Sequence, residues 1–382
     1  MKILFLSEIQ WLSQRSRKHQ IVRRFPADWE ILFVSPINLT RDENSLRVRR
    51  ARDLPNLRHV SILLPKPDSP LPFARPMSGP LWEIGRRRIE SLARDFGPDV
   101  VVCSNIWTAP LVPWFQSRGV PVVYDCNDFH PRFYPGLRAR AEGAFEALVS
   151  AVDEVVASSA YLRKICGRGV VIGNGADLET FDPDVVHAHP AAIARGILAD
   201  REDLVLYLGS IDDRLDFPIL EHLSDVLSVR APRSGLVLVG RIFDRARRRA
   251  DRLRARHPEA VQFTGRVPYA ELPAYLSCAR VGVAPFVLTE KTAAINANKL
   301  YMYAAMGRNI VSTPFSDDVR RHDGLAYLAS EPEAFARATL AALEDETRRT
   351  RLRDAIAAPN SWSDRASDFA RLLAGTLARS SG

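Results

Sequence analysis

Short apolar runs alternate with amphipathic segments along most of this 382-residue chain. Apolar runs such as 2–7, 30–35 and 99–104 each end in a polar loop, as buried parallel strands do, and helical spacing follows in segments such as 137–151. A second series of strands and helices begins at 204–208. Two consecutive βαβ series predict an α/β fold of two doubly wound, Rossmann-like domains with mainly parallel sheets.

Gly, Asn, Asp and Pro cluster at 173–183, and this segment is the predicted domain boundary. The pattern predicts an N-terminal domain over 1–175, a C-terminal domain over 176–359, and a last helix over 360–382 that packs back on the first domain. Two such domains facing each other would leave a central cleft at the carboxyl ends of both sheets, where doubly wound folds bind ligands. Functional residues are therefore expected directly after strands.

Composition is ordinary for a soluble globular protein, with 46% apolar and 8% aromatic residues. The chain becomes polar and basic after a short apolar start, and no later segment has the length of a membrane span, so a cytoplasmic protein is expected. Four scattered cysteines lack the spacing of a metal site and are expected to be reduced thiols.

The net charge of +8 comes from arginine-rich clusters. Solvated helix faces would explain most of them, and attraction to an acidic substrate or to the anionic inner membrane surface is the functional alternative. Nucleic acid is disfavoured, because no zinc-finger spacing, aromatic RNP-like strand or helix-turn-helix accompanies the charge. The clusters lie at 15–18, 47–50, 86–88 and 245–254.

The strongest local signal lies in 296–314, which reads as a polar loop, a lysine, an apolar helix closed by Gly307, and a buried strand. Asn298 is a candidate N-cap and would place Lys299 in the first helical turn, where the helix dipole disfavours a cation. An anion between the lysine and the free backbone N–H groups would resolve this conflict, and phosphate is the usual one. A solvent-exposed lysine on an ordinary helix is the alternative.

Gly209 and Ser210 directly follow the predicted strand 204–208. The absence of a side chain at Gly209 would let the backbone approach a phosphate or a sugar closely. A plain tight turn is the alternative interpretation of this pair.

Further segments follow one another in a recognisable order and spacing. They are 3–7 with Gln14 to His19, 122–128, 172–177, 207–210, 265–268, 272–275 and 281–285. Together they resemble the two-domain GT-B glycosyltransferases over nearly the whole chain. Lys299-Leu-Tyr-Met-Tyr and Asn360-Ser-Trp-Ser-Asp364 look closest to the glucuronosyltransferases of xanthan-type exopolysaccharide synthesis and to the related teichuronic-acid enzymes.

The resemblance implies transfer of a sugar from a nucleotide-sugar, by family likeness a UDP-sugar, to a lipid-linked or glycan acceptor in cell-surface polysaccharide synthesis. Retaining members of this fold carry a Glu-x7-Glu motif in the region of Lys299. Here Met302 occupies the second glutamate position and Ala294 the first. The departure favours inverting relatives. A retaining enzyme with a degenerate motif, or an inactive GT-B-like scaffold or binding protein, stays as the alternative.

Asp128 is the predicted catalytic base, because it follows the strand 120–125 and matches the aspartate that takes the acceptor proton in the resembled glucuronosyltransferases. An Asx-turn or N-cap aspartate is the alternative role. Asp125 is the competing carboxylate, nearer the strand end. Asn127 and His130 are supporting candidates.

The resemblance implies that Val267 contacts the nucleotide base through its backbone, and a strand-end core residue is the alternative. The donor diphosphate would be bound by Lys299 with Asn298, Gly209 and Ser210. Lipid pyrophosphate is the expected carrier of the acceptor. Two guanidinium groups and an imidazole from one segment would bind it, because guanidinium groups form paired hydrogen bonds to phosphate. Those residues are Arg15, Arg17 and His19.

No metal ion and no cofactor are predicted. Acidic pairs occur at 212–213 and 317–318, but the Asp-x-Asp pattern of a divalent-cation site at a strand end is missing. A helix dipole together with Lys299 would neutralise a leaving diphosphate without a metal. Metal-independent transfer is therefore expected.

Overall fold

The computed structural model describes residues 1–12, 15–37, 44–64, 77, 79–185, 187–188, 190–196, 198–201, 203–347 and 349–380. Gln14, in the predicted acceptor loop, lies outside these residues. The chain divides into two compact units: unit 1 is Met1–Gly173 with Ser363–Gly382, and unit 2 is Asn174–Trp362.

Among the described residues, unit 1 contains an eight-stranded sheet in which every pair is parallel except β3 with β4. The spatial order is β3-β4-β2-β1-β5-β6-β7-β8. Most strand residues are buried, as expected of a parallel sheet covered on both faces. The strands are β1 (Lys2–Leu6), β2 (Glu30–Pro36), β3 (Arg49–Arg50), β4 (Leu57–Ile62), β5 (Val100–Cys103), β6 (Val122–Cys126), β7 (Glu154–Ala157) and β8 (Val170–Val171).

One helix of unit 1 shows clearly how the sequence sets its ends. Ser159 accepts a hydrogen bond from the Leu162 N–H at 3.1 Å at the start of one helix, and Gly167, with φ of 69°, ends the same helix. The helices are α1 (Arg17–Val22), α2 (Pro80–Phe96), α3 (Val112–Gln116), α4 (Arg138–Ala151) and α5 (Ala160–Cys166).

Unit 2 contains a fully parallel six-stranded sheet among its described residues, in the order β11-β10-β9-β12-β13-β14. Its strands are β9 (Asp203–Leu208), β10 (Ser234–Val239), β11 (Val261–Gly265), β12 (Ala279–Ala284), β13 (Asn309–Ser312) and β14 (Tyr327–Leu328). Its helices are α6 (Ala191–Ala194), α7 (Phe217–Arg230), α8 (Asp244–Arg256), α9 (Leu272–Ser277), α10 (Glu290–Ala293), α11 (Asn298–Ala305), α12 (Asp317–Arg320), α13 (Pro332–Glu344) and α14 (Arg349–Leu352).

The last helix, α15 (Trp362–Ser380), starts at the end of unit 2 and continues in unit 1. Within unit 1 the Phe369 ring lies 6.1 Å from the ring of Phe25, centre to centre, and the Arg379 guanidinium lies 3.4 Å from the Glu154 carboxylate. These contacts attach the chain end to the N-terminal sheet.

Candidate functional site

Each sheet reverses its direction of strand addition at one place, and the two places are candidate ligand sites. In unit 2 the chain adds β10 and β11 on one side of β9, then β12, β13 and β14 on the other. In unit 1 the reversal lies between β1 and β5. Ligands of doubly wound sheets bind outside the carboxyl ends of strands at this switch point.

In unit 2 the switch point holds Lys299, in the first turn of α11. Its ammonium nitrogen lies 3.2 Å from the Tyr207 hydroxyl and 3.9 Å from the centre of the Phe286 ring. Among the described residues no carboxylate forms an ion pair with it. Burial and the neighbouring Arg214 hold the pKa of Lys299 well below its ordinary value, although Asp212 opposes them. An anion bound here would restore the charged form of this amine.

Gly209 and Gly240 bring two strand ends together beside Lys299. A Cβ atom on Gly209 would lie 3.4 Å from the Lys299 nitrogen, and a Cβ on Gly240 would lie 1.8 Å from the Gly209 carbonyl oxygen. Gly209, with φ of 132°, is exposed. Ser210 accepts a hydrogen bond at its carbonyl from the Tyr207 hydroxyl at 2.8 Å. The structure therefore places Gly209 and Ser210 next to Lys299, with bare backbone open to a ligand.

Arg214 is a second cation of this site, which the sequence interpretation missed. Its guanidinium donates to both oxygens of the Asp212 carboxylate, at 2.9 and 2.6 Å. The guanidinium carbon lies 5.7 Å from the centre of the Phe286 ring, which also faces Lys299. A usable signal was its place four residues after Ser210, in the loop that follows β9.

In the sequence, Asp212-Asp213 is an acidic pair without the Asp-x-Asp pattern of a metal site. In the structure Asp213 lies 3.1 Å from the Lys291 nitrogen, while Asp212 pairs with Arg214. Each aspartate therefore neutralises a neighbouring cation. Among the described residues no cluster of His, Cys, Asp and Glu is suited to hold a metal ion.

The predicted N-cap role of Asn298 is wrong. Ala297 is the N-cap of α11, with φ of −81° and ψ of 106°, and Asn298 is the first helical residue. The loop before the helix is held at Asn296 by two hydrogen bonds from Asn174. The Asn174 backbone N–H donates to the Asn296 side chain at 3.0 Å, and the Asn174 side-chain amide donates to the Asn296 backbone carbonyl at 2.6 Å. Lys299 remains in the first turn.

Val267 lies just beyond β11, the outermost strand of the unit 2 sheet. It is half-buried and packs against the apolar core of that unit. In the sheet β10 lies between β11 and β9, so Val267 follows the edge strand, whereas Gly209 and Ser210 follow β9.

In unit 1 the switch point holds Glu8, a residue that the sequence interpretation missed. Glu8 accepts a hydrogen bond from the Ser104 hydroxyl at 2.6 Å, forms an ion pair with buried Lys18, and lies 4.0 Å from the His130 ring nitrogen Nε2. Burial alone would raise the pKa of Glu8, but Lys18, His130 and Ser104 together lower it. An ionised carboxylate thus sits at the carboxyl ends of β1 and β5.

The predicted acceptor residues Arg15, Arg17 and His19 have different surroundings. Arg17 is only 3% exposed, with Nε lying 3.0 Å from Asp125 and Nη1 donating to the Gly173 carbonyl at 2.7 Å. The alternative of a solvated helix at 15–18 is wrong for Arg17 and Lys18, because α1 packs fully inside unit 1. Arg15, which precedes the helix, is exposed.

His19 is buried and both of its ring nitrogens make hydrogen bonds. Its Nδ1 accepts from the Ser16 backbone N–H at 3.2 Å, and Nε2 donates to the Trp11 carbonyl at 2.9 Å. Burial, then Lys18, lowers the pKa of His19 to about 4. The imidazole is therefore neutral and holds the start of α1, which carries Arg17 and Lys18.

Asp128 and Asp125 differ in accessibility. Asp125 is buried and bound to Arg17, whereas Asp128 is half-exposed in the loop after β6 and accepts a hydrogen bond from the Asn127 amide at 3.1 Å. The His130 N–H donates to the Asp128 carbonyl at 2.9 Å. Burial lowers the pKa of His130 even though Glu8 and Asp128 favour its charged form. Of the two aspartates, Asp128 is the one a substrate could reach.

Comparison with known proteins shows what this chain is similar to in sequence and in fold. Residues 202–345 match the family described as "Glycosyl transferases group 1". Over 227 residues the chain is 25% identical to the putative teichuronic acid biosynthesis glycosyltransferase TuaH of Bacillus subtilis (strain 168). That match covers 52% of this chain and about half, 54%, of the relative.

Three solved structures are similar over nearly the whole chain. Sucrose-phosphate synthase from Thermosynechococcus elongatus has a TM-score of 0.76 at 18% identity, covering 99% of both chains. HepE of Anabaena, in complex with UDP and glucose, has a TM-score of 0.70 at 14% identity, covering 98% of this chain and 99% of that one.

The third is the UDP-forming α,α-trehalose-phosphate synthase of Burkholderia xenovorans, in complex with glucose-6-phosphate. Its TM-score is 0.70 at 13% identity, and the match covers 98% of this chain and 100% of that one. The predicted α/β fold and the resemblance to GT-B glycosyltransferases are confirmed. Among the described residues, no helix combines the length and apolarity needed to cross a bilayer.

Proposed function

We propose that this protein is a metal-independent, inverting glycosyltransferase that moves a sugar from UDP to a glycan or lipid-linked acceptor in cell-surface polysaccharide synthesis. The observation that carries the proposal is Lys299, a half-buried lysine without a carboxylate partner among the described residues, beside bare backbone at the switch point of unit 2. The family match in 202–345 and the UDP bound by HepE support a nucleotide-sugar donor.

The donor diphosphate would take its hydrogen bonds from Lys299, Arg214, the free N–H groups in the first turn of α11 and the backbone at Gly209. Charge-assisted hydrogen bonds of this kind are about twice as strong as neutral ones. The positive end of the α11 dipole adds to the stabilisation of the leaving phosphate. Both effects grow as the glycosidic bond breaks and charge moves onto the diphosphate, so they favour the transition state.

Asp128 would act as general base. As the acceptor hydroxyl forms its bond to the anomeric carbon, the carboxylate takes the hydroxyl proton and UDP leaves with the electron pair of the broken bond. Inversion follows from this single displacement. It is supported by the accessibility of Asp128 and by Met302 and Ala294, which have no carboxylate at the positions of the retaining motif.

The donor site is tested by isothermal titration of UDP, GDP, ADP, CMP and dTDP into wild type and Lys299→Met. We expect binding of UDP and a loss of about tenfold to a hundredfold in affinity for Lys299→Met, because a hydrogen bond to a charged group is worth about 1.5–3 kcal/mol. Lys291→Met is the matched control, since Lys291 already pairs with Asp213. Absence of binding by every nucleotide would favour the scaffold alternative.

Catalysis is tested with Asp128→Asn and with the anomeric configuration of the product. Loss of transfer with UDP affinity unchanged, and a product of inverted configuration by NMR, are the expected results. Full activity of Asp128→Asn would remove Asp128 as the base. A product of retained configuration would favour the degenerate retaining enzyme.

Helix α8 supports peripheral attachment to the anionic inner membrane surface. It contains seven arginines and two aspartates, and Ala246, Ala250 and Leu253 bury one face against the core. Arg247, Arg248 and further arginines on the opposite face are exposed. Each arginine near an anionic bilayer contributes roughly 1 kcal/mol to the free energy of membrane binding.

Vesicle co-sedimentation tests this attachment. Binding is expected to vesicles that contain phosphatidylglycerol, to weaken with salt, and to fall when the exposed arginines of α8 are replaced by serine. Arg86, Arg87 and Arg88 in α2 provide the control, because Glu83 and Glu90 already form ion pairs with this cluster. Equal binding to phosphatidylcholine alone would contradict attachment through charge.

A further inference from the structure

Two thiols of unit 1 lie in contact beside the proposed base. Cys126 is the last residue of β6 and Cys166 the last residue of α5, and their sulfur atoms are 3.8 Å apart. Cys126 is fully buried and Cys166 is 8% exposed. Among the described residues, Cys103 and Cys278 make no sulfur–sulfur contact. The proposed transfer reaction uses none of the four.

The two cysteines lie at the ends of different kinds of element. Cys126 lies in β6, which is hydrogen-bonded on both sides to β5 and β7. Cys166 lies at the end of a seven-residue helix that stops at Gly167. A disulfide bond of about 2.05 Å requires the two sulfur atoms to approach by nearly 2 Å. The last turn of α5 can supply part of that movement, since helix ends fray more readily than central strands. The end of β6, where Cys126 lies, would supply the rest.

Cys126 adjoins and contacts the loop that carries Asp128. Asn127 and Asp128 follow it in the chain, and its sulfur lies 3.9 Å from the Asp128 carbonyl oxygen. The Ser158 hydroxyl donates to the Asn127 carbonyl at 2.9 Å and fixes the same loop to the end of β7. A displacement of Cys126 towards α5 would therefore move the backbone that presents the Asp128 carboxylate.

We propose that Cys126 and Cys166 form a thiol–disulfide modification site whose oxidation displaces the Asp128 loop and reversibly stops transfer. The effect on transfer rests on the proposed function, whereas the disulfide itself does not. The hydrogen bond between the two sulfur atoms lowers the pKa of Cys166 and raises that of Cys126. Cys166, the more exposed partner, is thus the first nucleophile.

The chemistry needs a disulfide oxidant such as oxidised glutathione. The Cys166 thiolate attacks one sulfur of the reagent, forms a mixed disulfide and releases one glutathione thiolate. The Cys126 sulfur, after loss of its proton, then attacks the Cys166 sulfur and releases the second glutathione. Two cysteine thiols are oxidised to one disulfide, and one glutathione disulfide is reduced to two thiols.

The site is tested on the full chain by oxidation with glutathione disulfide, alkylation of the remaining thiols, and peptide mapping by mass spectrometry. The expected result is a peptide pair linked through Cys126 and Cys166, with Cys103 and Cys278 alkylated. Dithiothreitol should remove the link. Alkylation of all four cysteines after oxidation, or a link between any other pair, would overturn the proposal.

The consequence is tested by transferase activity, UDP titration and hydrogen exchange of the 127–134 segment, before and after oxidation. Activity should fall by about tenfold or more, equal to roughly 1.4 kcal/mol in the barrier, and recover with dithiothreitol, while UDP affinity stays unchanged. Cys166→Ser should resist inhibition and Cys103→Ser should not. Cys166→Ala is a second variant if the serine destabilises the core.

The two proposals can fail separately. If wild type shows no transfer, the proposed function fails, and faster hydrogen exchange of the 127–134 segment in the oxidised protein still reports the displaced loop. If the disulfide forms and neither exchange nor activity changes, the thiol pair has no effect on the site and the proposal is wrong.

Discussion

Protonation of His19 should break a hydrogen bond that holds the start of α1, and so lower the free energy of unfolding. Nδ1 of His19 accepts from the Ser16 N–H at 3.2 Å, so a proton on Nδ1 would point at another proton. Burial and then Lys18 lower the pKa of His19 from 6.5 to about 4. The folded state therefore binds fewer protons than the unfolded state between these two values.

Proton linkage sets the direction in which the free energy of unfolding changes with pH. Because the folded pKa is depressed for a base, stability from His19 is present above pH 6.5 and is lost as pH falls towards about 4. Between about pH 7 and about pH 5 the loss is about 2 kcal/mol, and the full shift is worth about 3 kcal/mol. His59 and His130, also lowered chiefly by burial, act in the same direction in unit 1.

The assay is urea unfolding of wild type and His19→Gln at both pH values. Tryptophan fluorescence reports mainly on unit 1, which contains five of the six tryptophans. Wild type should lose about 2 kcal/mol more than His19→Gln on acidification. Leu162→Ala, a core change in the same unit, is the control whose cost does not depend on pH. Equal acid sensitivity of wild type and His19→Gln would refute the reasoning.

Three further predictions concern the two switch points. Gly240→Ala should weaken UDP binding by about tenfold, because its Cβ would meet the Gly209 carbonyl at 1.8 Å; unchanged affinity by titration would contradict this. Glu8→Ala should destabilise unit 1 by about 3–5 kcal/mol, since it leaves Lys18 buried and charged; the double change Glu8→Ala with Lys18→Met should recover part of the loss in urea unfolding. EDTA should leave transfer unchanged, and restoration of a lost activity by magnesium or manganese would argue against a metal-independent reaction.

Much of the candidate donor site was predictable, because its signals are local. Gly209 and Ser210 come directly after an apolar run, and Lys299 opens an apolar helix, so each could be placed at a strand or helix end from its neighbours. Arg214 was not found, because its closeness to Phe286 depends on β9 and β12 being adjacent in the sheet. The exact start of α11 was also missed. The loop before it is hydrogen-bonded through Asn296 to Asn174, which is distant in sequence, and a local pattern does not show that contact.

The amino-acid sequence by itself determined the two parallel-sheet units and the placing of glycine, serine and lysine at their strand and helix ends. Periodicity and apolar runs act over a few residues, so they can be interpreted without the fold. Tertiary structure alone decided that Glu8 meets Ser104, 96 residues later, and that Arg17 and His19 are buried. It also brought Cys126 to Cys166, 40 residues apart. Strand order and helix packing set those distances, and no local pattern encodes them.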